Sequence, residues 1–348
     1  MKMPESLGFS VYLSTFERQW PNLSRWSFQN APVFLSLYMG KGAADCGYAE
    51  SVCRKLAENG FRVIADVSTE TLELFHQTDL LTLARQLKLW ALRIDFGFTT
   101  EEISAMAREM PIVLNASTTD PREAEKIVSV CPGVFAMHNF YPRPETGLDR
   151  DRLQNLTKSL QAVGLKVQAF IPGDKEKRGP VFEGLPTLEA HRQVLPSAAF
   201  ADLALTYGMD DIFVGDPGIS EREQQRIALF SREGILSVPA VLEEEYAYLY
   251  GVTFTCRVDS PAALVRFEES RTSMKREILP EPERNLERTR GSLTMDNRDY
   301  DCYGGEIQMI RRSLPADRRV NVIGRVSENG WLLMDLIRGG QKFRLVTP

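Results

Sequence analysis

Polar side chains able to hold a sugar and move a proton recur at one kind of place in this sequence, the far ends of short apolar runs. Asp66 and Ser68 close FRVIADVS, Asp95 lies in ALRIDFGF, Asn115 and Ser117 close PIVLNAS, and Asp216 sits in DIFVGDP. The run beginning at Phe135 opens directly into a Pro-broken loop with His138, Asn139, Tyr141 and Arg143. Carboxylates, amides and hydroxyls of this kind bind sugar hydroxyls and carry out acid–base work. A second group is basic. The stretch GDKEKRGPVFEGLPTLEAHR carries Lys175, Lys177, Arg178 and Arg192 together with Glu183. A basic loop beside GDPGIS, a turn leading into a helix N-terminus, suits a phosphate.

Other chemistries are poorly supplied. The three histidines are His76, His138 and His191, and none forms a His-x-His pair on an early run. Metal-dependent hydrolysis is therefore not expected, and no cofactor is implied. No run ends in a lysine placed for Schiff-base chemistry. The five cysteines are scattered and odd in number, and Cys46 and Cys53 lack a second Cys/His pair at zinc spacing. Ordinary thiols in a reducing compartment, the cytoplasm, are expected. A net charge of −5 argues against an electrostatic nucleic-acid partner. No apolar run approaches the roughly 20 residues that span a bilayer, and the N-terminus lacks a signal-peptide pattern, so no membrane partner is expected.

The elements that must position these residues follow a repeating grammar. Eight strand-like runs (8–14, 31–39, 61–68, 91–98, 111–117, 135 onward, 165–172 and 211–217) alternate with helical stretches. That is the count and length of a (β/α)8 TIM barrel, expected over residues 1–234, with its site at the C-terminal strand ends. A doubly wound sheet would carry a Gly-rich turn after its first strand, and GFSVYLSTFE has none. Asp120 and Pro121 suit the start of a helix. Residues 20–30, with Pro21, are expected to be irregular. Alternation points Arg93 and Asp95 to one face, so an ion pair inside the barrel competes with a catalytic role for Asp95. For His138, a hydrogen-bonded rim position competes with substrate contact.

After Gly234 the grammar changes to short β-like runs: ILSVPAVL, YGVTFTCRV, EIQMIRRSL, RVNVIGRV and FRLVTP. A smaller β-rich domain is expected over residues 235–348, with residues 279–290 as a long loop. Its acidic and basic residues balance, 17 of each, so the negative charge belongs to the barrel.

Six segments of the barrel, among them HNFYPRPETGL and RGPVFEGLPTLEAHR, resemble in order the 6-phospho-N-acetylmuramidase family. In the second domain TMDNRDYDCYGGEIQ and LPADRRVNVIGRV resemble that family's C-terminal part. The resemblance implies a barrel followed by a cyclophilin-like domain. It implies cytoplasmic hydrolysis of the β-1,4 bond between 6-phospho-N-acetylmuramic acid and N-acetylglucosamine in cell-wall recycling. The loop after the second run, LYMGKGAADCG, departs from the family pattern, which bears on aglycone preference.

On this reading the ligand is a small phosphorylated amino-sugar disaccharide. Asp95 and Glu183 are the expected catalytic carboxylates, with Asp66 in reserve. Asn115, His138, Asn139, Tyr141 and Asp216 are expected to line the substrate. Lys175 and Arg178 are expected to hold the phosphate, with Arg143 and Arg192 available for phosphate or the lactyl carboxylate. Two alternatives stand beside hydrolysis: a lyase or etherase acting on the same sugar phosphate, and a non-catalytic sugar-phosphate sensor.

Overall fold

The computed structural model describes residues 4, 7–37, 46–131, 133–270 and 277–348. The chain divides into two compact units, Met1–Glu221 and Arg222–Pro348.

In the first unit, each of the eight expected runs forms a parallel strand. They are β1 (Leu7–Val11), β2 (Pro32–Ser36), β3 (Arg62–Val67), β4 (Ala91–Ile94), β5 (Ile112–Asn115), β6 (Phe135–Met137), β7 (Lys166–Ile171) and β8 (Asp211–Val214). They pair in chain order, and β8 closes on β1 into a barrel. The strands are covered on both faces, which is why they read as continuous apolar runs rather than as alternation. The observed strands are shorter than the runs. β1 stops at Val11, so Tyr12 rather than Ser14 follows it at the mouth, and Ser14 falls in a 3-10 turn, Leu13–Thr15.

The barrel helices are α1 (Phe16–Leu23), α2 (Cys46–Glu58), α3 (Thr69–Leu74), α4 (Leu80–Gln86), α5 (Thr100–Ala107), α6 (Pro121–Val130), α7 (Arg150–Ala162) and α8 (Pro196–Leu205). The irregular stretch expected over residues 20–30 begins later than Trp20. Pro21 is taken inside α1, which ends two residues on, and a 3-10 turn, Ser24–Trp26, follows. α6 starts as expected: the Asp120 carboxylate accepts from Arg122 N–H and Pro121 opens the helix. Thr99 and Glu102 cap α5 reciprocally. Residues 38–45, most of the loop that departs from the family pattern, lie outside the described residues.

Buried side chains of the barrel strands form one core, with Phe34, Ile64, Val113, Met137, Phe170 and Phe213. The rings of Phe34, Phe140 and Phe170 meet edge to face with centroids 5.1–5.9 Å apart. Gly8 is required by this packing, because a Cβ there would stand 2.3 Å from the Phe213 ring.

All of α9 (Glu221–Glu233) but its first residue belongs to the second unit, and its Arg222 and Arg226 donate to the carbonyls of Pro348 and Thr347. Seven strands follow: β9 (Ile235–Leu242), β10 (Thr253–Thr255), β11 (Leu264–Arg266), β12 (Ser292–Asp296), β13 (Ile307–Ile310), β14 (Val320–Val326) and β15 (Lys342–Val346). They form one curled, mixed sheet in the order β10-β15-β9-β14-β12-β13-β11, with β15 parallel to β9. Five of them fall in the expected runs. β11 is only three residues long, and β12 is buried along its whole length and shows no alternation, so neither announces itself. Phe254, Phe267 and Phe343 pack this sheet's core.

Candidate active site

The polar mouth of the barrel is organised around Arg93 on β4. Its side chain is 4% exposed, and it donates from Nη1 to Asp66 Oδ1 on β3 at 2.5 Å. The same nitrogen lies 3.8 Å from Asp95 Oδ1, just past the end of β4. Nη2 donates to Asn139 Oδ1 at 2.5 Å, and Nε is buried with no partner among the described residues. The expected intrabarrel ion pair of Arg93 thus forms, but its shorter arm runs across the sheet to Asp66. The two carboxylate oxygens share one nitrogen, so they lie no more than about 6.3 Å apart, the 2.5 and 3.8 Å arms laid end to end.

Asp95 is held from its other side. Asn115 Nδ2 donates to Asp95 Oδ1 at 3.0 Å, while Asn115 Oδ1 accepts from Ser117 N–H at 3.1 Å. The backbone donor fixes which end of the amide faces Asp95. The Asp95 side chain is 39% exposed and Asp66 21%. Burial raises the Asp66 pKa, Arg93 opposes that rise, and the Asp95 charge adds to it. A cavity of about 280 Å³ opens beside Asp95 and Asn115, with Phe96, Thr99, Ile103 and Thr118 in its walls.

The opposite side of the mouth is built by the loop between β7 and α8. Thr187, fully buried, donates to Asn139 O and accepts from Phe170 N–H, both at 2.9 Å. Gly173 and Gly215 allow close loop contacts: a Cβ on either would meet a carbonyl oxygen, of Gly218 or Leu185, at 2.2 or 2.3 Å. The Arg178 guanidinium lies 4.2 Å over the Tyr12 ring and 5.8 Å from that of Phe140. Tyr12 was not singled out from sequence, and its hydroxyl donates to Gly215 O at 2.5 Å. Lys175 and Arg143 are exposed, and Tyr141 is half-buried with its N–H on Pro186 O.

Three residues expected to touch substrate are turned to other work. His138 is fully buried. Successive strand positions face opposite sides, so Asn139 reaches the mouth and His138 faces α7, where Nε2 meets Thr157 Oγ1 at 3.1 Å. Nδ1 lies 3.4 Å from Ser117 Oγ, and burial pushes the His138 pKa down to about 3, so the ring is neutral. Asp216 is 2% exposed and accepts three backbone N–H bonds, from Gly173 at 2.8 Å, Arg178 at 3.0 Å and Leu185 at 3.1 Å. Arg192 uses every N–H it has. Nε and one Nη2 hydrogen go to Glu189 at 2.7 and 2.6 Å, and the rest go to the carbonyls of Tyr141, Gly184 and Arg143 at 2.9–3.2 Å. No donor of Arg192 is left for a ligand. Glu183 is exposed, outside the Arg93 network, and its Oε2 accepts from Gln193 Nε2 at 3.5 Å.

Among the described residues no group of three or more His, Cys, Asp or Glu side chains converges to hold a metal ion. None of the described helices is long and apolar enough to cross a membrane.

The family model described as 6-phospho-N-acetylmuramidase, N-terminal, matches residues 7–229, and its C-terminal counterpart matches residues 235–346. The chain belongs to the 6-phospho-N-acetylmuramidase family. The name describes an enzyme of glycosidase type acting on cell-wall sugar, and the barrel is where its N-terminal model lies. A conserved protein of unknown function from Enterococcus faecalis is similar over nearly the whole chain: 29% identity, TM-score 0.84, covering 98% of this chain and 96% of that one. An uncharacterized B. cereus protein shares the fold at 24% identity and TM-score 0.80, covering 99% and 100%. No protein with a curated description matches the chain. In this 6-phospho-N-acetylmuramidase relative, the carboxylates that come together are Asp66 and Asp95.

Proposed function

We propose that this chain hydrolyses the β-1,4 bond between 6-phospho-N-acetylmuramic acid and N-acetylglucosamine, using Asp66 and Asp95 as its carboxylate pair. The observation that carries the reading is the sharing of one buried guanidinium by two partly exposed carboxylates at the barrel mouth. Asp66 Oδ1 and Asp95 Oδ1 lie within about 6.3 Å of each other, close enough for the two groups to act on one bond. Asp66, whose pKa is raised, serves as the acid and gives its proton to the bridging oxygen. Arg93 then holds the carboxylate left behind. Asp95, oriented by Asn115, opposes the positive charge that develops at the anomeric carbon. Water completes the reaction, with Asp66 taking back a proton.

The phosphate sits against Arg178, whose stacking on Tyr12 aims it inward, with Lys175 beside it. Arg143 is left for the lactyl carboxylate. Glu183, expected from sequence as the second catalytic carboxylate after Asp95, has no catalytic part in this reading. The test is release of free N-acetylglucosamine from the disaccharide, with and without its 6-phosphate, followed by mass analysis. Asp66→Asn and Asp95→Asn should each lose at least about a thousandfold in rate, a typical scale for removing an acid–base group, and Glu183→Gln should stay within about threefold. Wild-type rates from both aspartate variants would overturn the assignment.

A further inference from the structure

A second cavity, of about 540 Å³, lies within the second unit and is unusual in its charge. Four arginines line it, Arg290, Arg311, Arg312 and Arg338, against one carboxylate, Asp335. Pro261, Ala262 and Ile337 give it an apolar wall. The unit as a whole carries no such bias, since its acidic and basic residues balance over residues 235–348.

Three of these guanidinium groups are fixed in place. Arg290 packs 5.1 Å from the Trp331 ring and donates from Nη2 to Asp335 Oδ2 at 2.6 Å. Arg311 donates from Nε and Nη2 to Met334 O at 3.2 and 2.9 Å, and also to Ile337 O. Arg338 donates from Nη1 to the carbonyls of Asp335 and Ile337. These carbonyls belong to the C-terminal end of the short helix Trp331–Leu336, where cations are favoured. Capping that helix accounts for the position of Arg311 and Arg338, and the one carboxylate, Asp335, offsets only part of the charge of the four arginines. Carbonyls satisfy hydrogen bonds without cancelling charge. Arg311 Nη1, Arg338 Nε and Nη2, and the whole head of the exposed Arg312 have no protein partner among the described residues.

Of the guanidinium groups with spare N–H donors, Arg311 is half-buried and fixed, while Arg312 and Arg338 are exposed at its side. Converging guanidinium donors of this kind form a receptor for a tetrahedral dianion. The volume falls in the range of small-molecule sites and exceeds what an inorganic ion fills. We propose that this cavity binds a sugar-sized phosphate monoester, its phosphate held by Arg311, Arg312 and Arg338 and its carbon skeleton set on the Pro261–Ile337 wall. The proposal does not rest on the barrel chemistry.

The test uses the full chain carrying Arg178→Ala, so that the barrel's own phosphate group is weakened, and calorimetric titration with glucose 6-phosphate, glucose and inorganic phosphate. The expected result is one saturable site for glucose 6-phosphate, with glucose at least tenfold weaker. Adding Arg312→Ala, at an exposed position with no side-chain hydrogen bond or ion pair among the described residues, should weaken the ester at least threefold. Adding Arg338→Ala as well should weaken it at least tenfold. An absence of saturable binding in the Arg178→Ala chain overturns the proposal, as does binding that ignores both further substitutions. Inorganic phosphate binding as tightly as the ester would remove the sugar from the assignment.

Discussion

Arg93 and Arg192 both serve the mouth of the same barrel, both are buried, and both face carboxylates, yet they are finished to different degrees. Arg192 spends all five N–H groups on Glu189 and three backbone carbonyls. Glu189 in turn accepts from Glu145 and Gly147 N–H, and its bond to Arg192 leads these contacts in holding its pKa down to about 2. Arg93 spends two bonds on side chains and keeps a buried Nε without a partner among the described residues, beside carboxylates that reach solvent. A closed network is a scaffold, because nothing in it remains to meet a ligand. An open one, held under partial burial, is where a substrate can still change the balance of charge.

Substitutions can break or sharpen that contrast. The largest effect is expected at Asp95. Asp95→Asn should cut turnover of the phosphorylated disaccharide by about a thousandfold or more while the urea midpoint stays put, since an exposed carboxylate contributes little to stability. Equal loss of both would place Asp95 in the scaffold. Arg192→Met should do the reverse. Leaving its carbonyls and Glu189 unpaired should cost about 3 kcal/mol of stability, read from urea denaturation, with turnover per folded molecule changed less than tenfold.

Next comes His138. Its folded pKa is depressed to about 3 against an ordinary 6.5, so below pH 6.5 the unfolded chain takes up a proton that the folded chain refuses. Stability is fully present above pH 6.5 and is lost as pH falls toward 3, by about 2 kcal/mol between pH 7 and 5. His138→Gln should flatten that pH dependence, and an unchanged slope would mean the ring is not the neutral, buried group described. The smallest effect belongs to Arg178→Lys. It keeps the charge and loses the planar stack on Tyr12, so KM for the phosphorylated substrate should rise about tenfold with kcat steady. A fall in kcat instead would move Arg178 into the chemistry.

The open half of this contrast was the legible half. Asp66, Asp95, Asn115 and Asn139 end regular strands, and strand alternation alone directs them to the mouth. The closed half was not legible. Arg192 and Asp216 owe their roles to backbone groups of a long irregular loop, and no side-chain pattern reveals which carbonyls or N–H groups will turn toward them. For His138 the hydrogen-bonded alternative to substrate contact is the one found, one position out of step with the alternation that placed Asn139. Tyr12 was missed because β1 ends earlier than its apolar run. Glycines 173 and 215 were the available signal that the loops after β7 and β8 press against each other.

The three backbone N–H bonds to Asp216 bear on how tightly a ligand can be held. A loop that had to be ordered at the moment of encounter would subtract that entropy from the affinity. Here the segment from Gly173 to Leu185 is tethered at its start, its middle and its end by one carboxylate. Its ordering is charged to folding, and Arg178 waits in position. If Arg178 holds the phosphate as proposed, substitutions at the exposed tip residues Phe182 and Glu183 should leave that group in place.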